Sequence, residues 1–376
     1  MPDLKRWNWQ QSDWPNFRFD AGRLATLEER FLREAGFYSG TFTHLADEKR
    51  DLLAVEMMSE EAMKTSEIEG EILNRESVQS SIRRQFGLAT DSQRIPPAEK
   101  GISELMVELH KQFDAMVDES RLLHWHGLLM NGRRDLSSIG GYRVGGDPMQ
   151  VVSGAIYDPK VHFEAPPSSM VPGEMRRFLE WYARTVPNGD NRLPVLTRAG
   201  ICHLYFVSIH PFEDGNGRIG RALAEKSIAE GLGHPVLIAL SSTIHRARKT
   251  YYDMLEHSNK RNEITDWLVY FAETILRAQG ESQSWLDFLV KKTRMLDRLR
   301  GHLNERQEKA VLRMAREGLN GFKGGLSAEN YLAITGTSRS TATRDLQDLV
   351  EKGALVSSGQ LKGTRYRLVI QEVGRG

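Results

Sequence analysis

Residues His210–Arg221 read His-Pro-Phe-Glu-Asp-Gly-Asn-Gly-Arg-Ile-Gly-Arg and stand between two runs of helical periodicity, Leu196–Ile209 and Ala222–Glu230. One proline and three glycines in twelve residues prevent either helix from running through. The stretch is therefore a loop between two helices, with Gly215-Asn216-Gly217 opening the second. A helix N-terminus carries unpaired backbone N–H groups and a partial positive charge, which favour phosphate. Glycines let the backbone approach an anion closely, and Arg218 and Arg221 add two forked guanidinium groups on one face of the first turn. His210 is the group in this loop suited to taking a proton near neutral pH. Asp214 can hold Mg2+ against phosphates, because hard cations prefer oxygen ligands. Phe212 reads as an inward anchor. Each residue alone is most simply a buried histidine or a surface ion pair; the set between two helices points to nucleotide chemistry.

At 376 residues the chain has length for two or three domains. Lys+Arg number 51 against 50 Asp+Glu, so no global field draws it to nucleic acid or membrane. The single cysteine, Cys202, excludes an intrachain disulfide, points to a reducing compartment and reads as a core residue. The N-terminal residues lack the apolar core of a signal peptide, and no apolar run approaches the ~18 residues of a membrane span. The expectation is a soluble, cytoplasmic protein with no membrane contact.

Trp7, Trp9, Trp14, Phe17 and Phe19 precede a helical pattern, Ala21–Gly36, and read as a docked N-terminal cap. A helix spans Asp47–Gly70, with Gly70 as its stop; Thr65 and Glu69, four apart, share one face. Alone, that end is an ordinary solvated terminus. Helix Glu76–Phe86, a linker at Arg94–Pro97, and helices Ala98–Phe113 and Leu122–Met130 follow. The Gly- and Pro-rich Ile139–Pro148 leads into Met149–Ile156, which with Tyr157–Phe163 predicts a short exposed hairpin or flap. Helices are expected at Gly173–Arg184, Ser242–Glu256 and Ile264–Leu276, then a charged linker helix, Trp285–Arg300. Its Lys291, Lys292, Arg294, Arg298 and Arg300 read as a solvated face. From Asn304 a helix at Glu305–Glu317, a second at Ser327–Ile334, a third at Arg339–Lys352 capped by Ser338, and strands Gly353–Val356 and Arg365–Val369 match a winged-helix layout. This segment carries eleven Lys+Arg against seven Asp+Glu, only weakly basic. DNA binding would want Arg339, Arg344, Lys362 and Arg365 on one face; a protein-interaction role is the alternative.

The string His210-x-Phe212-x-Asp214-Gly215-Asn216-Gly217-Arg218-x-x-Arg221 resembles the signature of Fic-domain proteins at every specified position. The flap and Pro166-Pro167 upstream, and Tyr251-Tyr252 and Asn259 downstream, fit the same order. The resemblance implies a mainly α fold: a Fic-type helical bundle over 96–280 with a β-hairpin flap. An N-terminal helical region (1–95, with an inhibitory helix at about 51–70), a linker helix (281–303) and a winged-helix domain (304–370) would complete it. It implies AMP transfer from ATP to a Ser, Thr or Tyr hydroxyl of a target protein, with His210 as general base and Asp214 on Mg2+. Gly215, Asn216, Gly217, Arg218, Ile219, Gly220 and Arg221 would bind the phosphates, and Tyr251 and Asn259 would line the adenine and ribose pocket. Val151-Val152-Ser153-Gly154 would be the docking edge for the target by strand addition.

The same resemblance gives Thr65-Ser-Glu-Ile-Glu69-Gly70 the form of an inhibitory motif, in which Glu69 occupies Arg221 and denies it to the γ-phosphate. Self-modification and homodimers join the expected partners. Two alternatives stand beside autoinhibited adenylyl transfer. One keeps the site for deAMPylation or another nucleotidyl or phosphocholine transfer; the other is a nucleotide-sensing DNA-binding regulator.

Overall fold

The computed structural model describes residues 6–43, 47–90, 94–155, 158–316, 322 and 324–370. They divide into two compact units, residues 1–280 and 281–376. The first holds α1 (Ala21–Thr43), α2 (Asp47–Ile68), α3 (Arg75–Gln85), α4 (Pro97–Lys111) and α5 (Glu119–Leu129). A hairpin of β1 (Gln150–Ala155) and β2 (Asp158–Glu164) follows. The unit continues with α6 (Val171–Arg184), α7 (Val195–Ile209), α8 (Asn216–Leu232), α9 (Leu240–Arg246), α10 (Arg248–Ser258) and the start of α11 (Thr265–Leu299).

The centre of this unit is α7, buried at every position from Leu196 to Ile209. A helix apolar all round belongs inside a bundle, and α7 is wrapped by α1, α6, α8 and α11 around Leu196, Leu204, Ile228, Trp267 and Phe271. Gly200 and Gly220 allow the close packing: a Cβ on Gly200 would lie 2.7 Å from Leu268, and one on Gly220 2.8 Å from His203. The buried Arg198 of α7 donates to Glu230 of α8 at 2.8 Å and lies 4.2 Å over the Tyr182 ring, fixing the pair. The end of α7 is set by His210, whose φ of 52° is left-handed, and by Pro211, which cannot extend a helix. Gly215, at φ 83°, starts α8.

The N-terminal aromatics dock as expected. Trp14 meets Tyr205 and Phe17 edge-on and donates through its indole N–H to Glu174 at 3.0 Å; Trp7 meets Phe163 at the base of the hairpin. Three expected helices come out differently. Ser242–Glu256 is broken at Ala247 (φ −115°, ψ 31°) into α9 and α10. The separate helices at 264–276 and 285–300 are one continuous α11. A mid-helix glycine such as Gly280 costs only about 1 kcal/mol, and no proline interrupts the run. No helix among the described residues is long and apolar enough to cross a membrane.

The second unit contains the remainder of α11, then α12 (Glu305–Ala315), α13 (Ala328–Thr335), α14 (Arg339–Glu351) and an antiparallel pair, β3 (Leu355–Ser358) and β4 (Arg365–Leu368). Met295 and Leu299 pack into its core with Val311, Tyr331, Leu346 and Leu349, so this helix is not merely a charged connector. Arg294, Arg298 and Arg300 are exposed, as a solvated face requires. Ser338 caps α14 by accepting from the Thr341 N–H. Arg339 and Arg344 are exposed on α14 and Arg365 is half-buried, while the side chain of Lys362 lies outside the described residues.

Candidate active site

The loop between α7 and α8 is held from inside. Phe212 is fully buried and stacks on His126 with ring centroids 4.1 Å apart. The Asn216 side chain closes the turn on itself, accepting from Phe212 N–H at 3.0 Å and donating to Phe212 C=O at 2.8 Å. Both ends of this amide are thus engaged with backbone. Ile219 is buried and Gly220 faces His203 and Val207 of α7, so both serve helix packing. Of the residues expected at a phosphate site, Gly217, Arg218 and Arg221 are those that meet Glu69 or Glu71.

His210 is partly buried, and its Nδ1 lies 3.3 Å from the Val207 carbonyl. A carbonyl only accepts, so Nδ1 carries the proton and Nε2 keeps its lone pair. Burial pushes the imidazole down to about 4, a shift opposed by the Val207 contact and reinforced by Arg143. The ring is therefore a neutral base near pH 7.

Arg143 was not singled out by the sequence, yet it fixes this histidine. It is 4% exposed. Its guanidinium donates to the carbonyls of His210 (2.7 Å), Pro166 (2.5 Å) and Ile209 (3.5 Å) and to Ser168 Oγ (2.9 Å), and its N–H donates to Pro211 (2.9 Å). One side chain thus ties the exit of the hairpin to the left-handed turn at His210.

Glu69 and Arg221 meet at the N-terminus of α8. Glu69 Oε1 lies 2.8 Å from Arg221 Nη2, and a Cβ on Gly217 would lie 2.3 Å from that same oxygen. The carboxylate therefore rests against the first-turn backbone, in the place an anion would take. Arg221 is 1% exposed; its Nε donates to Thr65 Oγ1 at 2.8 Å and its Nη2 to the Thr65 carbonyl at 2.9 Å, while Nη1 is buried with no hydrogen-bond partner among the described residues. Arg218 is paired with Glu71 at 2.5 Å. Gly70, at φ 87°, ends the segment and turns the chain so that Glu69 and Glu71 reach neighbouring arginines. Thr65 and Glu69 on one side and the arginines on the other are thus brought together.

Asp214 accepts from Arg133 Nη1 at 2.7 Å, from Gly215 N–H at 2.5 Å and from Arg218 Nη2 at 3.5 Å. Burial alone would raise its carboxyl, but the hydrogen bond from Arg133 and the charge of Arg218 bring it below the usual range. Among the described residues no group of three or more His, Cys, Asp or Glu gathers as a metal site. A lone carboxylate beside a phosphate cradle still fits Mg2+, which takes one or two carboxylates and completes its shell with water and substrate phosphates.

The flap forms as expected, with Val151 opposite Phe163 and Val152 opposite Val161 across a register shift. Val151, Val152, Ser153 and Gly154 are exposed, and β1 and β2 make up a two-stranded sheet. Ile156 and Tyr157 at the tip lie outside the described residues. Tyr251 and Asn259, expected to line a nucleotide pocket, are both buried. Tyr251 is 1% exposed with its hydroxyl 2.7 Å from His203 Nε2, and Asn259 is buried, holding Ser208 with its side chain and Asn8 with its carbonyl. The neighbouring Tyr252 faces the site instead, its hydroxyl donating to Glu69 at 3.4 Å. Successive helical residues differ by about 100° in direction, so the turn at Ala247 decides which tyrosine points inward.

The profile of the Fic/DOC family matches residues 116–227. Residues 116–227 are a Fic/DOC-family domain. The match takes in Arg133, Arg143, the flap, His210 and both arginines. Residues 7–88 match a second family described only as a domain of unknown function, DUF4172. Thr65 and Glu69 fall in that segment, so the carboxylate in the cradle comes from outside the Fic/DOC match. A curated relative, "Probable protein adenylyltransferase aq_aa38" of Aquifex aeolicus (strain VF5), is 30% identical over 98 residues, which are 26% of this chain and 27% of the relative. A Fic family protein from Desulfovibrio desulfuricans G20 has the same fold, with a TM-score of 0.55, 21% identity, and coverage of 96% of this chain and 98% of that one.

Proposed function

We propose that this Fic/DOC chain is an autoinhibited protein adenylyltransferase that moves AMP from ATP to a Ser, Thr or Tyr hydroxyl of a target protein. The observation that carries the reading is the Glu69 carboxylate lodged between Gly217 and Arg221. Removing one partner of a buried ion pair leaves an uncompensated charge, at a cost of roughly 3–5 kcal/mol. Arg221 is therefore not simply released; it exchanges one anion for another. A γ-phosphate is such an anion, and it competes with Glu69 for a single guanidinium.

In the transfer, Nε2 of His210 takes the proton of the acceptor hydroxyl as its oxygen attacks the α-phosphate, and pyrophosphate leaves. The left-handed turn and the Arg143 clamp hold that ring in place. First-turn amides of α8 with Arg218 and Arg221 receive the phosphates, which requires Glu69 and Glu71 to withdraw. Asp214 would hold Mg2+, whose charge offsets that of the departing pyrophosphate. The exposed β1 edge at Val151–Gly154 offers backbone N–H and C=O groups to an extended target segment.

Incubating cell lysate with labelled ATP, Mg2+ and each variant tests the reading. Glu69→Gly should raise labelling of lysate proteins well above the wild-type chain, and His210→Ala should abolish it. Equal labelling by both variants would end the assignment.

A further inference from the structure

The second unit carries a polar helix face that the transfer chemistry leaves unused. The exposed residues of α14 are Arg339, Ser340, Thr343, Arg344, Gln347 and Glu351. At about 100° per residue they fall within a sector of about 140°, so they form one face. Ala342, Leu346 and Leu349 lie opposite, fully buried in the core of the unit. The other acids of α14 are drawn off this face toward α12. Asp345 accepts from Arg306 Nε at 2.9 Å and from the Tyr331 hydroxyl at 3.0 Å, and Asp348 accepts from Gln307 Nε2 at 2.6 Å and from Lys352 Nζ at 2.5 Å. Glu351 shares the face but stands at its C-terminal end, about 18 Å along the axis from Arg339. Glu329 lies 3.8 Å from Arg339, an exposed pair that solvent screens. From its start to Gln347 the face thus presents guanidinium groups, hydroxyls and an amide.

That chemistry selects a partner. The centre of a protein–protein interface is apolar and aromatic and depleted in charge, which this row does not offer. Arg and Gln are the side chains that pair at two points with guanine and adenine in the major groove, and Ser and Thr hydroxyls serve either base. An α-helix fits the major groove of B-DNA, about 12 Å wide, and not the deep, narrow groove of A-form RNA. The hairpin follows α14 after Lys352, Gly353 and Ala354, and its register sets Val356 opposite Arg367 and Ser358 opposite Arg365. Side chains alternate along a strand, so both arginines point away from Tyr366 and Leu368, which pack on the core. Arg367 is exposed and Arg365 half-buried. Positive charge therefore continues from the helix face onto the outer face of the hairpin.

We propose that α14 is a recognition helix for double-stranded DNA: Ser340, Thr343, Arg344 and Gln347 meet base edges in the major groove, while Arg339 and Arg367 neutralise flanking phosphates. The inference uses residues of the second unit alone and does not rest on the adenylyl-transfer reading. The positive excess of the segment is small, eleven Lys+Arg against seven Asp+Glu. Few counterions are then released on binding, so affinity depends on the base contacts more than on the overall field. The reading is thus one of a sequence-selective contact with a shallow salt dependence, not of a general polyanion binder.

Selection of the full chain against a library of random-sequence DNA duplexes should enrich one motif, and fluorescence anisotropy should show that duplex bound roughly 10³-fold more tightly than a scrambled one. Arg344→Ala should lose roughly 10- to 100-fold on the enriched duplex and relax its preference at one base pair, while binding to the scrambled duplex changes little. Arg344→Lys keeps the charge without the fork and should lose the same preference. Arg339→Ala should weaken both duplexes alike and lower the slope of log K against log salt by about one. Lys309→Ala removes an exposed charge from α12 and should change neither duplex. A library with no enriched motif, or an Arg344→Ala chain that holds the enriched duplex as tightly as the wild-type chain, would overturn the proposal. Equal or tighter binding of the same sequence as an RNA duplex would overturn it too, because α14 would then not be reading a B-form major groove.

Discussion

Glu69 Oε1 lies 2.8 Å from Arg221 Nη2 and occupies the space that a side chain at position 217 would need. A single carboxylate thus engages both the guanidinium and the backbone at the start of α8. It is delivered by α2, whose Thr65 accepts from the same arginine through both its hydroxyl and its carbonyl. Arg221 is held by two residues one turn apart; on the proposed reading, the strength of that grip sets how readily phosphate replaces Glu69.

On the proposed reading, Thr65 tunes inhibition without carrying the competing charge. A hydrogen bond to a charged group contributes roughly 1.5–3 kcal/mol, so Thr65→Ala should raise AMP incorporation from labelled ATP by about tenfold, less than Glu69→Gly. Thr65→Ser, which keeps the acceptor oxygen, should stay close to the wild-type chain. Thr65→Ala at or below wild-type activity would show that Thr65 supports the productive site and not the closed one.

Arg143 offers a different test, because it touches neither phosphate nor acceptor. Its loss would leave the His210 and Pro166 carbonyls without a side-chain donor inside the fold. Buried polar groups left unsatisfied cost about 1–3 kcal/mol each, so Arg143→Ala should destabilise the chain by about 3 kcal/mol in urea. It should also depress AMP incorporation even in the Glu69→Gly background. Arg143→Lys keeps the charge but not the fork and should recover little of either loss. Full activity in Arg143→Ala would mean that His210 is oriented by its left-handed backbone alone.

These residues also mark what could be read from the sequence. The His210–Arg221 loop was legible because its chemistry is contiguous: the base, the glycines and the arginines lie within twelve residues whose types admit few other uses. Glu69 was legible only through a resemblance, since one acid near a helix end has no local meaning. Arg143 left no sequence signal because most of its partners are backbone carbonyls, which every residue supplies. That Tyr252 meets Glu69 was not legible, because the sequence carries no mark of the break at Ala247 where α10 begins. The length of α11 was hidden by Gly280, whose modest cost one long helix absorbs.

Buried histidines make stability sensitive to acid. Burial pushes His110, His126 and His210 down to about 4 and His203 to about 3, from an ordinary value of 6.5. Between pH 6.5 and 4 the unfolded chain takes up protons at these four histidines that the folded chain refuses, so their contribution to stability falls as pH falls through that window. Glu61, whose carboxyl burial pushes up to about 7, contributes in the opposite direction. Each such group contributes up to about 1.4 kcal/mol per pH unit. The histidine contribution to the urea midpoint should be lost as pH falls from 6.5 toward 4.5. His203, fully buried against Tyr251 and Trp267, is the group to remove. His203→Gln should flatten the acid limb by about one proton's slope, whatever it does to the midpoint at pH 7. AMP transfer at pH 6 should remain near its pH 7 rate, because His210 is still neutral there. A slope unchanged by His203→Gln would place the acid sensitivity in other groups.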